Sequence, residues 1–302
     1  MAPPRITLIT PVLNRADMIA EALNSVALQG YPAVEHIVID GGSTDGTVNI
    51  LKRSHGIHWI SEPDRGLYDA INKGIRLATG DIIGHLNSDD ILLPGAFAAV
   101  AEGFGRDRSV EAVCGGAQVV RWQPGGKTQT VKTYRSERIK RLDWHSVTLG
   151  VPITNARFFR RSWYRRAGFY DLHYKLAADR DFLIRSMILG MRTAPLERTL
   201  YQYRMHPGSL TISADLRQNR RLHEEYRSLA RSYMIRADSP EELRRMACRW
   251  FAVETVRRLT SQAGRKSWRE FRDTFFDARD FLPGWPVWFL REGLRRITGG
   301  LV

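Results

Sequence analysis

The chain predicts an α/β protein: a mostly parallel twisted sheet flanked by helices, with a helical C-terminal extension. Three observations carry this. Short apolar, β-branched runs alternate with helical periodicity through about the first hundred residues, the pattern of βαβ units. Glycine- and carboxylate-rich segments follow the strand-like runs, where an open α/β sheet builds a site. From Ser213 onward almost every apolar stretch falls at helical spacing.

Taken in order, Arg5–Thr10 is a strand by its β-branched run. Ala16–Leu28 is a helix with Ile19, Leu23 and Val26 on one face. His36–Ile39 is a second strand, and Ser43-Thr44-Asp45-Gly46-Thr47 starts a helix with polar caps. Ile57–Ile60, Tyr68–Ala78 and Gly80–Leu86 follow as strand, helix and strand. Right-handed crossovers then bring the strand C-terminal ends to one side. After a helix at Gly95–Phe104, Glu111–Trp122 and Lys127–Tyr134 read as strands around a Pro124-Gly125-Gly126 turn. Ser162–Ala167 and Asp179–Leu189 read as helices, and Thr199–Arg204 as a strand. In the extension, Leu222, Tyr226, Leu229 and Tyr233 form one helical stripe. Leu243, Ala247, Trp250 and Leu259 form another, separated from the first by Ser239-Pro240. The domain boundary is expected near residue 212: a site-bearing domain over 1–212 and a basic helical extension over 213–302.

With 43% hydrophobic and 26% charged residues, the composition is that of a folded soluble chain. No apolar run has the length of a membrane span, and the N-terminus leads straight into a strand, so no signal peptide is expected. Cys114 and Cys248 lack metal-site spacing and read as reduced thiols of a cytoplasmic protein. The net charge is +14, and 19 basic against 12 acidic residues between Ser213 and Val302 place half of that excess in the extension. Such a balance suits an anionic partner, whether nucleic acid, a phosphorylated substrate or an acidic membrane surface, or else a solvated basic face.

The most informative stretch is Gly80–Asp90, where a short apolar run ends in Asn87-Ser88-Asp89-Asp90. Adjacent carboxylates repel unless a positive group sits between them and a ligand. A divalent cation holding a diphosphate fits, because hard cations take oxygen ligands and bridge to phosphate. The alternative is that both acids cap the helix starting near Pro94. The first strand delivers Thr10-Pro11-Val12-Leu13-Asn14 to the same edge, and the second delivers Asp40 through Thr47. Pro11 stiffens its loop, and the glycines after Asp40 allow close backbone approach. Asp40 suits a turn and a site equally.

With Pro63-Asp64-Arg65-Gly66 and Ala70-Ile71-Asn72-Lys73-Gly74 added, the chain resembles glycosyltransferase family 2, the inverting GT-A-fold enzymes that use nucleotide sugars. The matching segments are Thr10-Pro11…Asn14-Arg15, Ile39–Thr47, Pro63–Gly74, Leu86–Asp90 and then Ala177–Arg185. Bacterial members that build surface polysaccharides and O-antigens look most alike. The resemblance implies a Rossmann-like GT-A sheet and a nucleotide-sugar donor held by Thr10, Pro11, Asn14, Asp40, Asp64, Arg65, Asn72, Asn87 and Ser88. Asn87-Ser88-Asp89 occupies the Asp-X-Asp position, so Asp89 is the implied ligand of Mg2+ or Mn2+. Asp90 orients the loop. Asp40 and Asp64 meet the nucleotide base, and Arg65 the diphosphate. Two positions depart from the family pattern: Asn87 adds no charge, and Gly41 stands where many members have an Asp that pairs with uracil. Asp179 matches the catalytic base and Asp181 a structural acid. A carboxylate, ionised near neutral pH, can take the proton that an acceptor hydroxyl loses as it attacks the anomeric carbon. The other reading of Asp179 and Asp181 is a pair of helix-N-terminal acids. His206, late in the chain, is implied at the metal or diphosphate, against a structural histidine. Trp144 and His145 fall where the acceptor pocket is usually shaped.

The function expected is therefore transfer of one sugar from a nucleotide donor to a glycan or lipid-linked glycan, peripherally at the inner membrane face. A non-catalytic nucleotide-sugar-binding subunit of a polysaccharide assembly complex is the alternative, and Asn87 favours it. A nucleotidyltransferase calls for a glycine-rich, lysine-bearing loop after the first strand, which Thr10–Arg15 lacks. Nucleic acid is not expected as a partner: in Arg157–Arg166 the aromatics fit a core strand and a short helix, and the arginines take solvent or an acidic acceptor. Phe281–Arg291 reads either as a membrane-interface segment or as a packed helix.

Overall fold

β1 (Ile6–Val12) runs through the middle of the sheet in this computed structural model, which describes residues 2–122, 128–135, 137–206, 208–209 and 216–281. Every β1 residue is buried, as a strand covered on both faces requires. α1 (Ile19–Ala27), β2 (Val34–Asp40), α2 (Thr47–Arg53), β3 (His58–Ser61), α3 (Leu67–Leu77) and β4 (Ile82–His85) complete the βαβ units. Their strands lie parallel in the order β3-β2-β1-β4. Gly46, at φ 104, holds the N-cap position of α2 itself, and of the polar residues expected there Asp45 is the one that accepts from the Thr47 backbone and hydroxyl.

Beyond β4 the sheet becomes mixed. β5 (Ile91–Leu92), α4 (Ala96–Arg106), β6 (Ala112–Trp122), β7 (Thr128–Tyr134), α5 (Glu137–Lys140), α6 (Trp144–Thr148), β8 (Arg157–Arg160), α7 (Arg161–Ala167), α8 (Ala178–Ile188) and β9 (Thr193–Met205) follow. The full order is β3-β2-β1-β4-β8-β6-β9-β5, with β7 on β6. β8 enters antiparallel to both β4 and β6, and β9 runs parallel to β6. Gly84 makes the β4–β8 approach possible: a Cβ there meets the Phe158 ring at 2.2 Å. Ile6, Leu8, Ile82, Phe97, Val113, Phe158 and Leu200 form the centre of the larger core.

This order opens a crevice beside β1. The chain steps outward from β1 to β2 to β3 and then returns to lay β4 on the other side of β1, which makes the β1/β4 boundary the switch point of the parallel part. The ladders confirm the opening: β1 pairs with β2 as far as Val12 opposite Asp40, but with β4 only as far as Ile9 opposite His85. Even-numbered β1 residues bond toward β2 and odd-numbered ones toward β4, as Gly41 N–H to Val12 O and Leu86 N–H to Ile9 O show. Pro11, which has no N–H, therefore falls where β4 offers no partner.

The chain divides into two compact units, residues 1–147 with 151–213, and 148–150 with 214–302. In the second, α9 (Leu216–Ile235), α10 (Glu241–Gly264) and α11 (Trp268–Phe281) pack together. Leu222, Leu229, Tyr233, Leu243, Ala247, Trp250 and Leu259 are all buried there, on the stripes expected from the sequence. Among the described residues no helix is long and apolar enough to cross a membrane. The Pro124–Gly126 turn and, apart from Phe281, the interfacial segment lie outside the described residues, as do residues 212 and 213.

Candidate functional site

Four segments meet at the C-terminal edge of the parallel strands. After β1, Asn14 adopts φ 51, a left-handed conformation uncommon outside glycine. Its backbone N–H donates to Ser43 Oγ at 2.7 Å, and its Oδ1 accepts from Thr44 N at 2.8 Å, so the loops after β1 and β2 lock together. The next residue, Arg15, is turned across the crevice. Its Nη2 donates to Gly208 O at 3.1 Å, and its Nε lies 4.0 Å from Asp89 Oδ2.

The Asp40 carboxylate closes its own loop. Oδ2 accepts from Gly42 N at 3.1 Å, Ser43 N at 3.0 Å and Ser61 Oγ at 2.6 Å, and Oδ1 accepts from Ser43 Oγ. With its side chain fully buried and both oxygens engaged, Asp40 holds the turn and offers no free oxygen to a nucleotide base. Asp64 is placed otherwise. Its Oδ1 accepts from Gly66 N at 2.8 Å, while its Oδ2 lies 2.6 Å from where a Cβ on Gly41 would be. The absent side chain at 41 is thus filled by a carboxylate from another loop. Arg65 is exposed and pairs with Asp69 at 3.3 Å.

Thr10 and Asn72 turn inward. The Thr10 hydroxyl bonds His36 Nε2 at 2.9 Å in the buried sheet. The Asn72 amide clamps the Tyr170 backbone, donating to its O at 2.8 Å and accepting from its N at 3.0 Å. Both were expected at the donor, and both instead brace the scaffold beneath it, because each found its partners in the interior. Pro11 is likewise buried within β1.

After β4, the two aspartates separate. Asp90 points inward and accepts from Tyr201 Oη at 2.7 Å, Arg204 N at 2.9 Å and Asn87 Nδ2 at 3.1 Å. Burial first, and then the neighbouring Asp89 charge, push its carboxyl up to about 8. Ser88, in the same loop, is also buried. Asp89 faces the crevice, its side chain 17% exposed, with His206 Nε2 at 3.0 Å from its Oδ2. Arg204 staples this loop from below: Nε donates to Asp89 O at 2.5 Å, and Nη1 meets Glu21 at 2.5 Å.

Asp179 sits half-buried in the first turn of α8. Its Oδ1 accepts from Arg180 N at 2.8 Å, and its Oδ2 accepts from the Thr154 hydroxyl at 2.9 Å. Asp181 is buried and pairs with Arg185 at 2.7 Å, and that arginine also holds the carbonyls of Ala167 and Phe169. Asp179 and the Asn87–Asp90 loop are joined through the interior. Thr154 holds Asp179, its neighbour Asn155 donates to Tyr201 Oη at 3.3 Å, and Tyr201 donates to Asp90. Trp144 and His145 lie on α6, with His145 exposed.

The fit to a cation can be tested on this donor set. Among the described residues no three His, Cys, Asp or Glu side chains converge as a metal centre. An oxygen of Asp89 suits a hard cation that arrives with a diphosphate, since such ions take one or two carboxylates and fill their shells with phosphate oxygens and water. His206 fits less directly. Gly208 N–H donates to its Nδ1 at 3.2 Å, which leaves Nε2 to carry the proton and donate to Asp89. Ligation through Nε2 requires the proton to move to Nδ1 and the Gly208 bond to break.

Arg15, Thr154, Asn155, Tyr201 and Arg204 were not singled out in the sequence. Arg15 has a signal, its place directly after Asn14 in a matching segment. The others sit in an unremarkable loop or in a strand whose partners are remote in the chain.

Residues 7–168 match the family described as Glycosyl transferase family 2. An uncharacterized glycosyltransferase of Mycobacterium tuberculosis is 31% identical over 232 residues, covering 74% of this chain and 86% of the relative. A PGL/p-HBAD biosynthesis glycosyltransferase of Mycobacterium bovis is 34% identical over 197 residues, covering 61% and 70% respectively. Among solved structures, S. aureus TarS 1-349 in complex with UDP-GlcNAc aligns with a TM-score of 0.64 at 17% identity, over 92% of this chain and 82% of that one. The mannosyltransferase PcManGT from Pyrobaculum calidifontis, in complex with GDP-Man and Mn2+, aligns at 0.60 with 18% identity, over 99% and 88%. At these identities the structural likeness is one of fold.

Proposed function

The chain belongs to glycosyltransferase family 2, and from that premise we propose that it is an inverting, metal-dependent enzyme moving one sugar from a nucleotide donor to a hydroxyl of a glycan or lipid-linked glycan in surface-polysaccharide synthesis. The observation that carries the reading is the internal link between Asp179 and the Asn87–Asp90 loop. It ties Asp179 to the loop that carries Asp89 from positions remote in the chain, which supports reading the first as the base and the second as the cation-binding carboxylate.

The donor enters at the β1/β4 crevice. Asp64 accepts from an N–H of the base, and Arg15 and Arg65 approach the diphosphate. Asp89 would hold Mg2+ or Mn2+, and His206 would orient Asp89, or would join the cation only after changing tautomer. A cation there supplies charge that stabilises the departing diphosphate. Asp179 takes the acceptor hydroxyl's proton as its oxygen bonds to the anomeric carbon. The bond from that carbon to the diphosphate oxygen breaks, and its electron pair leaves with the nucleotide. A single displacement of this kind, with one base opposite the leaving group, inverts the anomeric centre. The basic extension suits an acidic membrane surface on which a lipid-linked acceptor is carried.

Asp179→Asn tests the base. Turnover is expected to fall by about a hundredfold or more, while UDP- or GDP-sugar binding, read by thermal stabilisation with Mn2+, persists. Normal turnover in the purified variant would remove Asp179 from this role.

A further inference from the structure

We propose that Thr154 is the positioning residue of the catalytic base, and that Asn155 and Tyr201 register it against the donor edge. The inference rests on the reading of Asp179 as the base and adds what aims it. Among the described residues, the Asp179 carboxylate has two hydrogen-bond partners, Arg180 N and the Thr154 hydroxyl. The first belongs to the same helical turn and travels with it. Thr154 is the contact from outside α8, and it selects the direction in which the remaining lone pairs point.

Thr154 is itself firmly placed. It is 6% exposed, and its carbonyl accepts from Arg157 N at 3.0 Å where the chain turns into β8. The next residue, Asn155, donates to Tyr201 Oη, and this hydroxyl has no capacity left. It donates to Asp90 and accepts from both Asn87 N and Asn155 Nδ2. Every member of this chain of bonds is at least partly buried, so solvent does not compete freely for it. Base and departing diphosphate must stand on opposite sides of one carbon, and a misplacement of about 1 Å costs about a hundredfold. A tether from the base to the donor edge meets that demand where α8 alone does not.

The hydroxyl of Thr154, and not its methyl, does this, which makes the proposal testable with near-isosteric variants of the full chain. Release of nucleoside diphosphate from a panel of UDP-, GDP- and dTDP-sugars with Mn2+ is the assay, and water or added acceptor takes the sugar. Thr154→Val is expected to lower kcat by about tenfold to a hundredfold, leaving the donor KM and the melting temperature at parental values. Thr154→Ser restores most of the rate. If valine is not accommodated, Thr154→Ala against Thr154→Ser makes the same comparison. Tyr201→Phe, one bond further away, is expected to give a smaller loss in kcat. Parental kcat in Thr154→Val, or equal defects in the valine and serine variants, overturns the proposal. Asp179→Asn run alongside separates the two ideas. If that variant is inactive and Thr154→Val is normal, only the tether fails; if it turns over normally, base and tether fail together.

Discussion

Asp40 and Asp89 invite comparison because each follows a parallel strand that flanks β1, yet one is consumed by its own loop and the other is presented to the crevice. Asp40 ends β2 and is followed by Gly42 at φ 89 and by Ser43, whose N–H groups fold back onto its oxygens. Asp89 follows β4, and the residue after it is a second aspartate that turns inward and takes the interior donors for itself. A strand-end carboxylate serves whichever donors reach it first. It is left available to a ligand where those donors are absent or already engaged.

Three substitutions sharpen this contrast. The largest effect is expected at Asp89. Asp89→Asn removes the charge that faces the crevice, so Mn2+-dependent stabilisation by UDP- or GDP-sugar should disappear and turnover should drop by about a hundredfold, with little change in unfolding midpoint. An unaltered metal titration would set Asp89 aside. Asp40→Asn should act the other way. It places an amide against N–H and O–H donors in a buried turn and costs about 1–3 kcal/mol of stability in denaturant unfolding, while the metal titration keeps its shape. A destabilised Asp89→Asn together with a fully stable Asp40→Asn would reverse the comparison. The smallest effect is expected at Gly41. Gly41→Ala pushes the Asp64 carboxylate from its place, and calorimetry should show nucleoside diphosphate binding weakened by about tenfold, near 1.4 kcal/mol, with the fold intact. Unchanged affinity would mean that Asp64 does not meet the base.

The first half of the sheet was legible because its information is local. Ile6–Val12, Val34–Asp40 and Ile82–His85 are apolar runs bounded by turn residues, and each lies within a residue or two of where periodicity puts it. The second half was less so. β5 has two residues, too few for a period to show, and β8 has four, read as a core strand only from its Phe158–Phe159 pair. β9 is thirteen residues long, although only Thr199–Arg204 reads as a strand. Its first part, with Pro195 and Glu197, is held by pairing to β6 rather than by its own propensity. The site divides in the same way. Asp89, Asp90, Asp64, Asp179 and Asp181 stand in recognisable segments. The inward turn of Thr10, Asn72 and Asp40 depends on who their neighbours are, which spacing does not disclose.

Taken alone, the order of residues determined the βαβ alternation, the helical stripes of the extension, and which carboxylates come to strand ends, since these follow from side-chain periodicity and chain direction. Only the tertiary structure decided which of those carboxylates face outward. That choice depends for Asp90 on donors brought from β9, for Asp179 on Thr154 ahead of β8, and for Asp40 on Ser61 of β3 together with its own loop, and hydrogen bonds between groups remote in the chain form only once the sheet has closed its neighbours together.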